Sequence, residues 1–556
     1  MTTHPTPAAA PGDDLESRLG DPFDEDNPVG FAAVVAADER AEPLEAGERL
    51  LDAWQFNHEL VPRSLGGRWG GTDALTRRLR PVFRRDPALG LGYGVASLTG
   101  AATVWAAGSA AQRLATADAL LAGERIAAAF HEPHHGNGLP GAGFTARADG
   151  DGLILSGAEE VIANVERASS LVLLAHGEDA PGADSVSALL VSQRDLKGSA
   201  RHLPRFATSG LRACPFGGIE VDAAPVGPEA LVGAPGQGLE AALRACQVTR
   251  AVLPGLAVGV LDTALHLTHD FAADRVLYGL HVSELPHARA TLAAAFTDVL
   301  IADSLATAVS RQLHLAPGAA SAPAAAVGYL VPLLLEEALH ELSIVLGARS
   351  YLRTGRHAAF SKFYSDLPLL GLAGLGPAPG LLTILPQLPS LARDSWSAAE
   401  PPAGLFDTSA ELPGLDVSRL SVTGVAPDPL MGTLAGVPAG EGPEGLPAAD
   451  LAGLREECLR LSPAELGPEA GPESFALARR YAVLLAAAAC VGTHGSGTGF
   501  LGERPWLAAA LTRLAGRLGH GDGLLTEELA EPLFEELTAR VDQRLSCDLA
   551  RTPVFR

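Results

Sequence analysis

Lysine is nearly missing from this sequence. Lys197 and Lys362 are the only two, against 39 arginines. Paired cysteines are missing as well. Cys214, Cys246, Cys458, Cys490 and Cys547 stand far apart, so no CxxC pair suggests a zinc knuckle or a redox dithiol. Scattered thiols in odd number fit a reducing compartment. Positive charge is scarce overall, and the formal net charge is -24. That sign argues against a nucleic-acid or anionic-membrane binder, because both present phosphates. Plain solubility accounts for the charge. No unbroken apolar run reaches the ~18 residues of a membrane span, and the best, LLAAAACV at 484–491, is far too short. The stretch MTTHPTPAAAPGDDLESRLGDPFDEDNP lacks the basic n-region and apolar core of a secretory signal. These absences lead to the expectation of a cytoplasmic protein with no nucleic-acid or membrane partner.

Apolar residues, by contrast, are plentiful. At 556 residues and 47% apolar, the chain can bury a large core in more than one domain. Residues 1–41 read as a flexible acidic arm. Residues 42–125 carry apolar positions at helical spacing, as in ERLLDAWQ and TRRLRPVF. From Ile126 the texture changes to short alternating or fully apolar runs, such as LILSG and SLVLLAH, separated by turn-formers including Asp149-Gly150-Asp151-Gly152. A compact β-domain over 126–235 is expected. Helical spacing returns over 236–395, where Leu253, Ala257, Val260, Ala264, Leu267 and Phe271 share one stripe. Such helices pack as an antiparallel bundle. Residues 396–556 begin as a Pro/Gly-rich connection and end as a helical C-terminal extension.

The segment FHEPHHGNG at 130–138 crowds three histidines and a glutamate into His131–His135. Imidazole and carboxylate suit zinc or iron. But His134 and His135 are adjacent and no HExxH spacing is present, so no metal is expected. Five further segments fall in order along the chain: LVPRSLGGRWGG (60–71), LILSGAEEVIANVERASSLVLLA (153–175), SGLRACPFGGIEVDAAPVGPEALVGAPGQGL (209–239), TRAVLPGLAVGVLDTALHLTHDFAADRVLYG (249–279) and FSKFYSDLPL (360–369). With FHEPHHGNG in the place of "TEP-x-x-GS", these six resemble the motifs of the acyl-CoA dehydrogenase family.

The resemblance implies an α+β, mostly helical fold: an N-terminal helical domain, a central β-barrel and a four-helix bundle, here with an extra helical C-terminal region. It implies FAD as cofactor, held by positions matching His131, Asn137, Val161, Ile162, Ala163, Arg275, Tyr278 and Gly347. Arg275 and Tyr278 match residues that reach a neighbouring subunit's cofactor, so a homodimer or homotetramer is implied. Arg250 and Gln247 fall to the substrate, an acyl thioester on CoA or on a carrier protein. With lysine so rare, CoA contacts would rest on Arg205, Arg212 or Arg250. The family's catalytic carboxylate occupies one of two places, here Thr249 and Gly374 (with Ala373 beside it), and neither is acidic. His131 is the candidate replacement, because imidazole titrates near neutrality. Ala163 replaces the Thr that bonds the flavin ring, Val161 the Trp that covers it, and Ile344 a Gln at the phosphates. Two functions follow. One is an FAD oxidoreductase with altered chemistry, in specialised metabolism, passing electrons to an electron-transfer partner or to oxygen. The other is a flavin-free protein of the same fold, serving as a non-redox enzyme or a structural subunit.

Overall fold

A computed structural model describes residues 14–130, 143–177, 185–373, 376–424, 426–438 and 445–555. His131, Asn137 and Gly374 lie outside these residues. Helices Leu15–Leu19 and Phe31–Arg40 open the chain. The expected flexible arm is therefore corrected for residues 14–41. Its acidic texture hid a regular set of apolar anchors: Leu15, Leu19, Phe31 and Val34 are all buried. Asp14 caps the first helix by accepting from the Ser17 N–H. Arg85 donates to the carbonyls of Leu19, Gly20 and Val29, so the turn between the two helices has a buried cation at its centre.

The central layer is an eight-stranded sheet: β1 (Ile126–Ala129), β2 (Phe144–Asp149), β3 (Gly152–Ala163), β4 (Ser170–Gly177), β5 (Val186–Ser192), β6 (Ala200–Leu203), β7 (Phe216–Val226) and β8 (Leu231–Val232). The strand order is β6-β7-β3-β2-β4-β5-β8, with β1 parallel to β4. β2 and β3 pair from Asp149 opposite Gly152, so Gly150 and Asp151 form a two-residue turn. Gly150 has φ of 59°, the left-handed value such hairpin turns require. The sheet has its own core, which includes Phe144, Leu155, Ile162, Leu171 and Ile219.

Helices Gly238–Asp274, Pro286–Leu315, Ser321–Leu346 and Ala358–Ala373 make the bundle. Three helices, Gly238–Asp274, Pro286–Leu315 and Pro472–Ser496, are long and apolar enough to cross a membrane by length and composition. Isolated polar residues interrupt each of them, so none is a single unbroken apolar run. Their apolar windows are 100%, 89% and 72% buried inside the protein, so other helices already cover those faces.

The C-terminal helices Pro472–Ser496, Arg504–Arg517 and Glu527–Asp542 pack on Pro286–Leu315 and share its core. Arg513 grips Asp298 with two bonds of 2.6 Å. The last turn of chain enters the molecule's polar centre. Asp548 accepts from Arg80 at 2.7 Å and from Arg84 at 2.6 Å. Arg80 also pairs with Asp303, and Arg84 with Asp262, each at 2.6 Å. All five side chains are buried. Burial alone would raise the Asp548 carboxyl, but Arg84 and Arg80 hold it well below the usual carboxylate range.

Asp548→Asn is expected to cost about 3–5 kcal/mol at neutral pH, because two buried guanidinium groups lose a shared counter-charge. A carboxyl held low stabilises the fold above its unfolded pKa of about 3.9 and loses that contribution as pH falls below it. Urea unfolding of both proteins should therefore show a gap that narrows below about pH 4.

Candidate cofactor and substrate site

The Gly238–Asp274 helix carries expected site residues at both ends. Thr249, Arg250 and Gln247 lie in its first half, and all three are buried. The Thr249 hydroxyl donates to the Cys246 carbonyl at 3.3 Å, a bond within its own helix. Gln247 Nε2 donates to the Ser421 carbonyl at 2.8 Å, and Arg250 Nη1 to Thr383 Oγ1 at 3.1 Å. Burial lowers the Arg250 pKa, opposed only by the Cys246 thiol.

The wall facing these residues comes from later sequence. Helix Pro377–Ile384 supplies Thr383. A strap at 417–424 lies along the helix, where Arg244 Nε also donates to Leu420 O at 2.9 Å. Gln387 ties the two together. Its amide donates to the Thr383 carbonyl at 2.6 Å and to Ser321 Oγ at 3.2 Å, and its Oε1 accepts from the Gly424 N–H at 2.7 Å. Sequence reading missed Thr383, Gln387 and Ser421. The stretch around Ser421 lies in a Pro/Gly-rich region with no periodic pattern, so only the fold reveals the strap.

At the other end, Arg275 caps the helix and opens the hairpin 276–281. It makes no ion pair among the described residues. Tyr278 is 95% exposed, with φ of 56°, and Val276, Leu277 and Leu280 are also exposed. Arg250 and Arg275 are 25 residues apart on one helix, roughly 37 Å at 1.5 Å per residue. They cannot meet at one reacting group within a chain. Gly347 ends the Ser321–Leu346 helix with φ of 56° and open space around it. Ile344, at the position expected for a phosphate-binding Gln, is 56% exposed.

On β3, Val161 and Ala163 are half-buried on the side away from the sheet's own core. Ile162 is corrected. It is fully buried among the sheet's core residues, so its side chain is structural and not part of a cofactor face. Alternation along a strand sends neighbouring side chains to opposite faces, so the Ile162 side chain does not share a face with Val161 and Ala163. Asn164, which follows, has φ of 61° and donates to the Gly92 carbonyl at 2.6 Å, fixing the end of β3 to the N-terminal helices. Arg205 and Arg212 are corrected too. They donate to backbone carbonyls, Arg205 to Ala41 and Cys214 and Arg212 to Glu39, and so staple the 205–214 loop to the second helix.

A buried ion pair anchors the helix that precedes the expected base position. Lys362 Nζ bonds Asp86 at 2.8 Å and also bonds Asp366, while Asp366 accepts from the Leu211 N–H at 2.6 Å. Burial pushes the Asp366 carboxyl up to about 6, with Lys362 opposing. Among the described residues, Asp262, His266 and Cys547 have ligand atoms within 4.8 Å of one another. Their donors are already used: Asp262 holds Arg84 and the Cys547 N–H, and His266 Nε2 donates to Leu545 O.

Residues 236–378 match the family model for the acyl-CoA dehydrogenase C-terminal domain. A probable acyl-CoA dehydrogenase of Mycobacterium leprae is 25% identical over 246 residues, 44% of this chain and 63% of that protein. The human mitochondrial short-chain specific acyl-CoA dehydrogenase is 26% identical over 229 residues, 40% of this chain and 54% of its own length. The chain thus spans less than two thirds of these relatives. The crystal structure of a Bacillus anthracis acyl-CoA dehydrogenase complexed with FAD superposes with a TM-score of 0.66 at 16% identity. It covers 92% of this chain and 87% of that one, so the C-terminal helices have a counterpart there. The fold is that of the acyl-CoA dehydrogenases, and the family match and the curated relatives all point to that family.

Lys362→Met is expected to destabilise the protein by about 3–5 kcal/mol at pH 8, since Asp86 and Asp366 would face each other without a cation. As pH falls toward 5, Asp366, which burial already pushes up to about 6, takes up a proton and the repulsion falls, so the deficit shrinks. Thermal melting of both proteins across that range checks it.

Proposed function

We propose that the protein is an FAD-dependent oxidoreductase of the acyl-CoA dehydrogenase type. It acts on an acyl thioester, on CoA or on a carrier protein, without the family's catalytic glutamate. The observation that carries this reading is Arg275. It is a guanidinium with no ion pair among the described residues, on an exposed apolar hairpin, at the far end of the helix that buries Arg250. A guanidinium suits a pyrophosphate, which it can bind bidentately. A helix that presents one cation outward and another inward serves two sites, and that fits assembly from identical subunits. The exposed Val276, Leu277, Tyr278 and Leu280 supply apolar area for a homodimer, which a homotetramer would build upon.

The residues present fit a flavin dinucleotide. Arg275 and Tyr278 would hold its phosphate end from a neighbouring subunit. Val161 and Ala163 would lie along the ring. Gly347, open and left-handed, lets backbone approach a phosphate without a Cβ in the way. Bound there, FAD would accept the substrate's β-hydride. Arg250 and Gln247 would orient the acyl group, and the Thr383–Gln387–Ser421 wall would keep water from it. The α-proton needs a base at contact distance. Thr249, buried and bonded within its own helix, has no charge to offer. His131 remains the candidate on sequence grounds. The electrons would then pass to an electron-transfer flavoprotein or to oxygen. Loss of the ordinary base suits a specialised substrate more than routine fatty-acid breakdown. Five buried, unbridged cysteines support a cytoplasmic setting.

The flavin-free alternative has its own support. Ala163 and Val161 offer no hydrogen bond to a ring, and Ile344 offers none to a phosphate. The colour of the protein discriminates. Purified with added FAD, it should show flavin absorbance and elute as a dimer or larger. A colourless monomer would overturn the proposal. Arg275→Ala should weaken FAD retention by a charge-assisted bond worth about 1.5–3 kcal/mol, read as faster loss of FAD on dilution.

A panel of straight and branched acyl-CoAs with an artificial electron acceptor should give little turnover. Normal turnover would refute the missing base. Gly374→Glu should restore activity by about 10²- to 10⁴-fold, the contribution of a placed general base. Thr249→Glu is the poorer rescue, because that position is packed inside the bundle.

A further inference from the structure

A ligand cannot reach Gln247, Thr249 and Arg250 while their cover is in place, because all three are buried. Three segments form that cover. The Ser321–Leu346 helix lays Gly328 against the Arg250 stem, the Pro377–Ile384 helix supplies Thr383, and the strap at 417–424 lies on Gln247. They are not held equally. The Ser321–Leu346 helix belongs to the bundle and its main core. The Pro377–Ile384 helix buries Leu381 and Ile384 and runs on into the buried Leu385, Leu388 and Leu391. The strap buries two side chains, Val417 and Leu420.

The rest of the strap's hold is polar and runs through its backbone. The Leu420 carbonyl accepts from Arg244 Nε at 2.9 Å, the Ser421 carbonyl from Gln247 Nε2 at 2.8 Å and the Val422 carbonyl from Ser321 Oγ at 2.7 Å. The Gly424 N–H donates to Gln387 Oε1 at 2.7 Å. Such bonds add little net stability, because water replaces them when they break. Arg244 also pairs with Glu240, so it is not left alone when the strap leaves. The strap is therefore the cover that costs least to open. Its flanks, by contrast, are fixed. His314 Nδ1 donates to the Pro413 carbonyl at 2.7 Å, and the buried Asp428 accepts from the Tyr481 hydroxyl at 2.9 Å. Gly414 and Gly424 stand just inside these two pins, and a Cβ on Gly414 would meet open space. Glycine allows the wide backbone changes that a hinge needs.

We infer that residues 414–424 form a lid, which swings between its two fixed flanks to admit a ligand to the Gln247–Arg250 turn and to release it. The Gly238–Asp274 helix stays in place meanwhile, held by the pair of Asp262 with Arg84. Hydrogen exchange on the full-length protein tests the lid without any ligand. The Ser421 N–H bonds the Pro317 carbonyl and the Gly424 N–H bonds Gln387, so both amides report opening. They should exchange about a hundredfold faster or more than the amides of Gly238–Asp274 and Pro377–Ile384. Exchange in step with either helix overturns the lid. Val417→Ser combined with Leu420→Ser removes the apolar hold and should raise opening about a hundredfold or more. Ser321→Ala removes one bond and should raise it about two- to tenfold. This milder variant serves where the double one fails to fold.

A second measurement rests on the thioester reading given above. Butyryl-CoA is mixed with the FAD-loaded protein by stopped flow, and the rates of binding and release are followed separately. A lid gates entry and exit alike. Both rates should therefore rise in each variant by the factor that exchange reports, with affinity nearly unchanged. A strap with a structural role alone would shift affinity and leave the two rates unlinked to opening, and that result overturns the lid. Wild-type rates in a variant whose strap exchanges faster overturn it as well. If butyryl-CoA binds to none of these proteins, the thioester reading falls, and the lid stands or falls on the exchange result.

Discussion

The architecture depends on a knot of charge at its centre. Arg80 and Arg84 come from an N-terminal helix, Asp262 and Asp303 from two bundle helices, and Asp548 from the last few residues of the chain. None of these charges faces water. Each is tolerable only while the others are in place, because an unpaired ion in a low-dielectric interior is far worse than a paired one. The backbone joins in: the Cys547 N–H bonds Asp262 and the Leu549 N–H bonds Asp303. Three stretches of sequence far apart in the chain are thereby made interdependent. The same knot fixes the Gly238–Asp274 helix in place, and that helix positions both Arg250 and Arg275.

Local sequence carried much of this fold. The Asp149–Gly152 turn, the strands around it and the long helices follow from period and turn chemistry, and the six ordered segments resemble the motifs of one family. What stayed hidden was long-range. Arg80 and Asp548 are 468 positions apart, and nothing near either one announces the other. The first 41 residues looked unstructured because acidic residues outnumber their apolar anchors, yet Leu15, Leu19 and Phe31 are enough to dock the segment from residue 14 onward. Ile162 looked like a ligand contact because motif matching does not ask which face of a strand a side chain takes. Arg205 and Arg212 looked free because a sequence cannot show a guanidinium spending its bonds on backbone carbonyls.

The candidate site was legible in part for the same reason. Arg250 and Arg275 stand in recognisable contexts on one helix. The residues opposite Arg250 come from beyond the matched domain, which ends at residue 378. Thr383, Gln387 and Ser421 belong to a stretch broken up by prolines and glycines, and their roles appear only when Gln387 is seen bonded to both sides.

That wall has an evolutionary consequence. The residues proposed to seat a cofactor and those proposed to border the acyl group are encoded in separate parts of the chain, and within the second set one glutamine, Gln387, ties helix to strap. Substitutions, insertions or losses between residues 377 and 424 could reshape what the pocket admits while leaving the sheet, the hairpin at Arg275 and the central ion knot untouched. New substrate ranges in relatives of this kind would then arise by drift in the irregular connection, and comparison of the recognisable domain alone would not detect them.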